Sequence, residues 1–476
     1  MRSARRSAKL VSVPTKDSRM TSPEPSLHRV PFREAARFWT KLGFINFGGP
    51  AGQIAIMHEE IVDRRKWVSN ARFLHALNFC MLLPGPEAQQ LAIYLGWLMH
   101  RVKGGLVAGI MFVLPSVFIM FGLSWLFAAH GDVTWVNAIF AGLAPAVIAL
   151  VAWATIRIGS KSLANGLMLA VAIVAFVAIF VVHVPFPLIV LAALVIGFVG
   201  GAIRPDLFDV GVAEELEEQE RIALRDDAPR PLHTVPTRAR ALKTLVVGLV
   251  VWLVPIALIA AWRGPDDTLT EMGWFFSRAA LITFGGAYAV LAYVNVAAVQ
   301  TYGWLLPGQM VVGLGLAEST PGPLIMVLEF VGFVGAYQNP GDLDPLVAGT
   351  LGAFVAVWAT FAPCFLWIFL GAPYVESLRG NRRLGAALQT VTAAVVGVIA
   401  NLAVTFAISA LFDQVSTTDL LGRFEVPSPV WSSVDWFATI VAAVGFVGLW
   451  RFHWKVLPVI GASTMAGLVW YGLLGQ

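Results

Sequence analysis

The sequence predicts an all-α polytopic membrane protein made of two inverted-topology repeats, each containing helices broken by Gly and Pro. Three observations carry that prediction: composition, runs of spanning length, and a long internal repeat. Of the 476 residues, 58% are hydrophobic and 13% charged, with 17 Trp and 31 Phe. No single water-soluble core hides that much apolar surface. Uncharged stretches long enough to cross the bilayer occur at 104–130, 133–156, 162–182, 184–203, 244–262, 345–375, 384–412 and 456–476. Each meets the need for roughly 20 residues to cross about 30 Å of hydrocarbon. The shorter run Trp436–Trp450 has aromatic ends and flanking Asp435 and Arg451, which suit a ninth span.

The repeat begins where Phe44-Ile-Asn-Phe-Gly-Gly-Pro50 returns as Leu281-Ile-Thr-Phe-Gly-Gly-Ala287, at an offset of 237 residues. At that offset Lys41 maps onto Arg278, Trp67 onto Trp304, and Pro84-Gly85-Pro86 onto Pro321-Gly322-Pro323. Farther on, Phe112-Val-Leu-Pro115 aligns with Thr360-Phe-Ala-Pro363 at 248, so the second copy carries 11 extra residues around the polar loop 337–344. Repeats of this length in so apolar a chain point to a transporter.

Four segments, 32–62, 73–100, 272–300 and 307–337, are apolar but interrupted at Gly48-Gly49-Pro50, Pro84-Gly85-Pro86, Gly285-Gly286 and Pro321-Gly322-Pro323. Pro lacks an N–H and Gly weakens a helix, so backbone hydrogen bonds are lost where lipid offers no replacement. Such breaks belong in protein or against water. Charge indicates whether these segments cross or turn back. With all four re-entrant, the basic loops at 1–41, 64–72, 101–103, 157–161, 204–243, 379–383 and 451–455 share one face, while the opposite loops hold two basic residues, Arg263 and Arg423. With all four crossing, Arg64-Arg65-Lys66 falls on the wrong side. Re-entrant hairpins are therefore expected, with a cytoplasmic amino terminus. The unpaired span 244–262 then turns the second copy upside down whichever way the breaks run.

These elements divide the chain into a basic tail (1–31), a first repeat (32–203), a charged linker (204–243), a connecting helix (244–262) and a second repeat (263–476). In inverted-repeat architectures the discontinuous helices meet near the midplane, and one half rocks against the other.

A helix restarting after a break presents unpaired N–H groups and a positive dipole end, which attract an anion. Gly48, Gly49, Gly85, Gly285, Gly286 and Gly322, with Pro84, Pro86, Pro321 and Pro323, form the candidate cradle. Lys41 lies seven residues before Gly48, on the same helix face and about 10 Å away, and Arg278 repeats the relation to Gly285. A cation from each half aimed at a break suits an oxyanion; the alternative is that both snorkel to the interface. Glu87 follows the first Pro-Gly-Pro and Glu318 precedes the second, as proton carriers or as caps of half-helix starts. Asn46, Gln90, Thr283 and Thr320 add hydrogen-bonding capacity, though polar residues also join membrane helices, and Gly-Gly also serves close packing.

Phe47-Gly-Gly-Pro50, then Arg64-Arg-Lys-Trp67, then Leu83-Pro-Gly-Pro-Glu-Ala-Gln-Gln90 together resemble the chromate ion transporter family, and the second copy resembles the other half of its long, two-domain members. The resemblance implies a bacterial inner-membrane protein that exports chromate on the proton-motive force, with sulfate as the chemically similar competitor. Its partners would be that oxyanion and the lipid bilayer; a homodimer is allowed, and no nucleic acid or cofactor is expected. Ala287 in place of Pro50 and Leu324 in place of Glu87 suggest unequal halves.

Other features narrow the class. Residues 1–31 lack an apolar core and read as a cytoplasmic tail rather than a secretory signal. Cys80 and Cys364 lie in apolar segments as small core residues. No Walker or dinucleotide motif, metal-ligand spacing or nucleophile constellation is evident, which disfavours an ATP-driven pump or an enzyme. A passive anion channel would share the helix-end chemistry.

Overall fold

The computed structural model describes residues 30–46, 49–81, 83–130, 134–163, 165–204, 207, 237–283, 287–374, 382–412, 414–420 and 424–473. Gly48, Gly285 and Gly286, the tail before residue 30, and most of the linker lie outside the described residues.

The first half comprises α1 (Phe32–Ile45), α2 (Gly49–His58), α3 (Asn70–Met81), α4 (Glu87–His130), α5 (Thr134–Ser162), α6 (Gly166–Phe180) and α7 (Phe186–Ile203). After the connecting α8 (Arg238–Arg263) come α9 (Thr268–Ile282), α10 (Ala287–Val296), α11 (Gln309–Ser319) and α12 (Val327–Gln338). The second half ends with α13 (Pro345–Gly371), α14 (Arg382–Leu411), α15 (Trp436–Arg451) and α16 (Val456–Gly467). The run α4 is two helices in sequence: His100 and Arg101 leave helical geometry, with φ +55° at Arg101, and the chain folds back there.

Side-chain contacts settle that the broken segments are hairpins. Glu34, near the start of α1, sits 3.7 Å from Arg65, beyond the end of α2. The Phe38 and Trp67 rings are 5.2 Å apart, and the Arg65 guanidinium lies 5.0 Å from both. His58 meets Asn70 Oδ1 at 2.8 Å, and His100 meets the Val30 carbonyl at 2.8 Å. Residues 30, 65, 70 and 100 thus share one face. The second half repeats this with Phe275 and Trp304 at 5.5 Å. There Arg263 bonds Asp267 at 3.1 Å and also Asp342, tying the end of the fourth segment to the start of the third. The guanidinium holds the Asp342 carboxyl below the usual aspartate range, so this tie is present at neutral pH and is lost only as pH falls through that lowered value.

Among the described residues, six helical runs are apolar and long enough to cross a membrane: 87–130, 141–160, 186–203, 238–263, 345–374 and 385–408. Two expected spans are shorter, and the short run expected at 436–450 forms as α15. The segment expected at 162–182 is the 15-residue α6, because Asn165 caps its start through the Met168 N–H. Past its end, His183 at φ +57° turns the chain towards Pro185. The helix α15 has 16 residues, and α16 has 12 before a π-turn at Leu468–Leu473. The loop after α14 contains an antiparallel pair, Val415–Leu420 with Phe424–Pro429.

Each half closes on the other. A Cβ on Gly197 of α7 would lie 2.5 Å from the Ala386 carbonyl of α14. A Cβ on Gly467 of α16 would lie 2.3 Å from the Gly142 Cα of α5. Gly397 of α14 likewise abuts the Ala172 carbonyl of α6, at 2.0 Å from an added Cβ. The last two helices of each repeat therefore pack on a long span of the opposite repeat. Missing Cβ atoms let backbones approach where lipid gives no hydrophobic drive to association.

This arrangement places residues 65 and 342 on opposite faces. Single cysteines there, on a background without Cys80 and Cys364, are expected to react with an impermeant maleimide from opposite sides of oriented vesicles. Reaction of both from one side would contradict the four-hairpin topology.

Candidate functional site

The broken helices end at one place. The Gly85 N–H donates to the Thr283 carbonyl at 2.8 Å, and the Gly322 N–H donates to the Asn46 carbonyl at 2.8 Å. Asn46 and Thr283 are repeat counterparts, as are Gly85 and Gly322, so each bond is the image of the other. The first break of each half is thereby joined to the second break of the other half. Asn46 and Thr283 are the residues ending α1 and α9, whose last carbonyls have no intrahelical donor. The two glycine N–H groups satisfy one such carbonyl each.

Geometry explains the glycines. Gly85 has φ +125° and Gly322 φ +121°, which L side chains rarely adopt. A Cβ on Gly85 would lie 2.6 Å from Gln90 Nε2 and 3.0 Å from Cys364 Sγ; one on Gly322 would lie 2.4 Å from Ser116 Cβ. Ser116 and Cys364 are counterparts at the later offset of 248. Each Pro-Gly-Pro turn thus rests on the proline-containing span of the opposite half, beside Pro115 or Pro363.

Polar side chains collect here, and they are unequal. Gln53 Nε2 donates to the Gly322 carbonyl, and Gln90 Nε2 donates to the Pro84 carbonyl at 2.7 Å. Their repeat counterparts are Val290 and Val327. Asn46, Gln53, Gln89, Gln90 and Ser116 are buried to 1% exposure or less. Among the described residues, both amide atoms of Asn46, the Ser116 hydroxyl and the Oε1 atoms of Gln53, Gln89 and Gln90 have no hydrogen-bond partner. Buried polar atoms without partners are costly and mark places where a ligand or water completes the bonding.

The other expected residues fall as follows. Pro86 precedes α4, and its carbonyl receives the Gln90 N–H at 3.0 Å; Glu87 opens the helix and is half-buried. Glu318 and Thr320 are buried at the end of α11, where the Thr320 hydroxyl bonds the Ala317 carbonyl at 3.2 Å. Pro321 and Pro323 flank Gly322, and Gly49 is the first residue of α2. The Thr283 hydroxyl is turned back onto the Ala279 carbonyl at 2.6 Å. The two cations are engaged elsewhere. Lys41 Nζ is 3.8 Å from Glu60, which also receives Arg64 at 3.1 Å and Arg65 at 3.4 Å. Exposed Arg278 reaches the Trp274 carbonyl and the Tyr302 hydroxyl, both at 3.3 Å. Gln53 and Ser116 carry little sequence signal. One is a lone amide in Gly52–Met57 and the other a hydroxyl beside Pro115, both weak alone.

The chromate transporter family matches residues 33–198 and 270–468. The chain belongs to that family. It is 32% identical over 438 residues to a chromate transport protein of Pseudomonas aeruginosa, covering 91% of this chain and 90% of the relative. It is 30% identical over 405 residues to a chromate transport protein of Cupriavidus metallidurans, covering 83% and 90%. A probable chromate transport protein of Synechococcus elongatus is 28% identical over 382 residues, with 80% and 86% covered. No solved structure matches. As a member of the chromate transporter family, the chain is a transporter.

Gly85→Ala and Gly322→Ala are expected to lower stability by about 2–4 kcal/mol each, from backbone strain and contact with the opposite half. Gly122 of α4 has open space where an added Cβ would sit, whereas Gly109 abuts Ile93 and Phe365, so Gly122→Ala is the matched control. Thermal unfolding in detergent checks this; equal melting temperatures for Gly85→Ala and Gly122→Ala would contradict it. Lys41→Gln should cost under about 1 kcal/mol, as for an exposed ion pair.

Proposed function

We propose that this protein is a secondary transporter that exports chromate, with sulfate as the rival oxyanion, across a bacterial inner membrane on the proton-motive force. The supporting observation is the crossing itself: four helix interruptions from two inverted halves, joined by two equivalent hydrogen bonds and surrounded by buried amides and a hydroxyl without partners. Net donors at this place are the Asn46 Nδ2 group, the Ser116 hydroxyl and the first-turn amides of α4, which no intrahelical carbonyl reaches. Together they suit an oxyanion in a setting that excludes water, where hydrogen bonds to charge are strong.

The crossing bonds also suggest how access alternates. Gly85 and Gly322 donate to carbonyls of the opposite half, so an oxyanion arriving between the halves competes for those same N–H groups. Exchange of a carbonyl for an anion weakens the link between the halves and permits the rocking expected of inverted repeats. The basic loops support a cytoplasmic location for the face carrying residue 30. Glu87 at the start of α4 and buried Glu318 at the end of α11 are candidate carboxylates for coupling protons, beside buried Glu329 on α12.

Asn46→Ala and Ser116→Ala are each expected to raise the KM for chromate about tenfold, the worth of one hydrogen bond to a charged partner. The assay is chromate and sulfate flux in proteoliposomes with imposed pH and voltage gradients. Uphill chromate movement on either gradient supports a coupled transporter. Strictly downhill, unsaturable flux would identify a channel and overturn the proposal.

A further inference from the structure

The side chains at the crossing bear on which protonation state of the substrate is carried, given the reading that the crossing is the oxyanion site. A chromate dianion accepts hydrogen bonds through every oxygen and donates none. Its site needs donors and positive charge. Among the described residues no Lys, Arg or His side chain is buried, and the buried charged side chains are Glu60, Glu318 and Glu329. Helix starts supply partial positive charge, but α1, α3, α9 and α11 bring their negative ends to the same breaks.

The unpartnered atoms point the same way. Asn46 Nδ2 and the Ser116 hydroxyl can donate, but Gln53 Oε1 and Gln90 Oε1 can only accept. For both glutamines the orientation is fixed by chemistry. Gln53 and Gln90 spend their NH2 groups on the carbonyls of Gly322 and Pro84, so a flipped amide would set oxygen against oxygen. Their acceptor oxygens are therefore open to a donor from the ligand. The repeat replaces Gln53, Gln89 and Gln90 by Val290, Met326 and Val327, so the acceptors come from one half alone. That asymmetry fits a ligand bearing O–H on one of its corners.

We propose that the crossing binds the singly protonated oxyanion, hydrogen chromate, whose hydroxyl donates to the glutamine oxygens while its other oxygens accept from Asn46, Ser116 and the helix-start amides. Bound in this form, the substrate brings one negative charge instead of two into a site without a buried cation. It also makes sulfate a weak rival at this site, because discrimination follows basicity rather than size. Sulfate is a far weaker base, so its protonated form is scarce at neutral pH. On the helices that meet here, the carboxylates and thiols closest to the breaks are Glu87 on α4, Glu318 on α11, Glu329 on α12, Cys80 on α3 and Cys364 on α13. The Lys, Arg and His residues of these helices lie more than a helical turn farther along the chain, and the two closest, Lys41 and Arg278, are exposed and engaged elsewhere.

The test measures initial chromate flux by the full chain in proteoliposomes, varying pH on the substrate side while pH and voltage across the rest of the system are clamped. As pH rises through the range where the dianion dominates, KM for total chromate should climb about tenfold per unit, at constant maximal rate. Selenate, a tetrahedral dianion as weakly basic as sulfate, should fail to inhibit throughout. Titration of a protein group would instead weaken chromate and selenate in parallel. A KM that stays flat or falls with rising pH, or selenate inhibition matching chromate affinity at alkaline pH, would overturn the inference. The Asn46→Ala and Ser116→Ala variants separate the two levels: a raised KM with a flat pH series removes only the protonated species, whereas unchanged KM in both variants removes the site as well.

Discussion

Breaking a helix inside a membrane exposes backbone groups that lipid cannot satisfy, and the two bonds Gly85 to Thr283 and Gly322 to Asn46 resolve that problem here. Each uses a donor from one repeat and an acceptor from the other. Neither half can satisfy its own interruption, so the halves are obligate partners. The positive φ of both glycines, the close seats of Gly85 on Cys364 and Gly322 on Ser116, and the exchange of terminal helices between halves are all consistent with this reciprocal closure. It also puts the least satisfied backbone of both repeats at one buried point, where an oxyanion would find competing acceptors rather than open water.

Duplication explains the frame, and divergence explains the chemistry. The backbone bonds obey the repeat, but the side chains around them do not. Gln53, Gln89 and Gln90 face apolar counterparts, Ser116 faces Cys364, and Glu87 faces Leu324. At the outer end of the first hairpin, Glu60 gathers Lys41, Arg64 and Arg65, while its counterpart Ala297 leaves Arg278 to Tyr302 and a carbonyl. A symmetric scaffold thus carries an unequal set of polar side chains around its crossing.

Much of the fold was legible in the chain because the relevant signals are local. Hydrophobic runs, Gly/Pro interruptions and basic loops each act over a few residues, and together they indicated four hairpins and an inverted second half. Segment ends were less legible: the Asn165 cap and the turn at His183 shorten α6, and no periodicity announces the strands at 415–429. The crossing was visible only in part. The motifs at its corners stood out, but the pairing of Gly85 with Thr283 is a backbone contact between distant segments and leaves no residue-type signature. For the same reason Lys41 looked aimed at the break from its helix face, whereas Glu60, brought back by the hairpin, holds it at 3.8 Å. Gln53 and Ser116 do not stand out because a single polar residue in an apolar helix is ordinary until its neighbours are known.

The central claim is that the oxyanion sits where the four interruptions meet. Diffraction from chromate-soaked crystals at the chromium absorption edge tests this most directly, because the anomalous signal marks the metal centre independently of any assumption about the protein. The account predicts one dominant peak enclosed by Asn46, Gln90, Ser116 and the Gly85 and Gly322 turns. A dominant peak at the Lys41, Arg64 and Arg65 cluster, with none at the crossing, would contradict it.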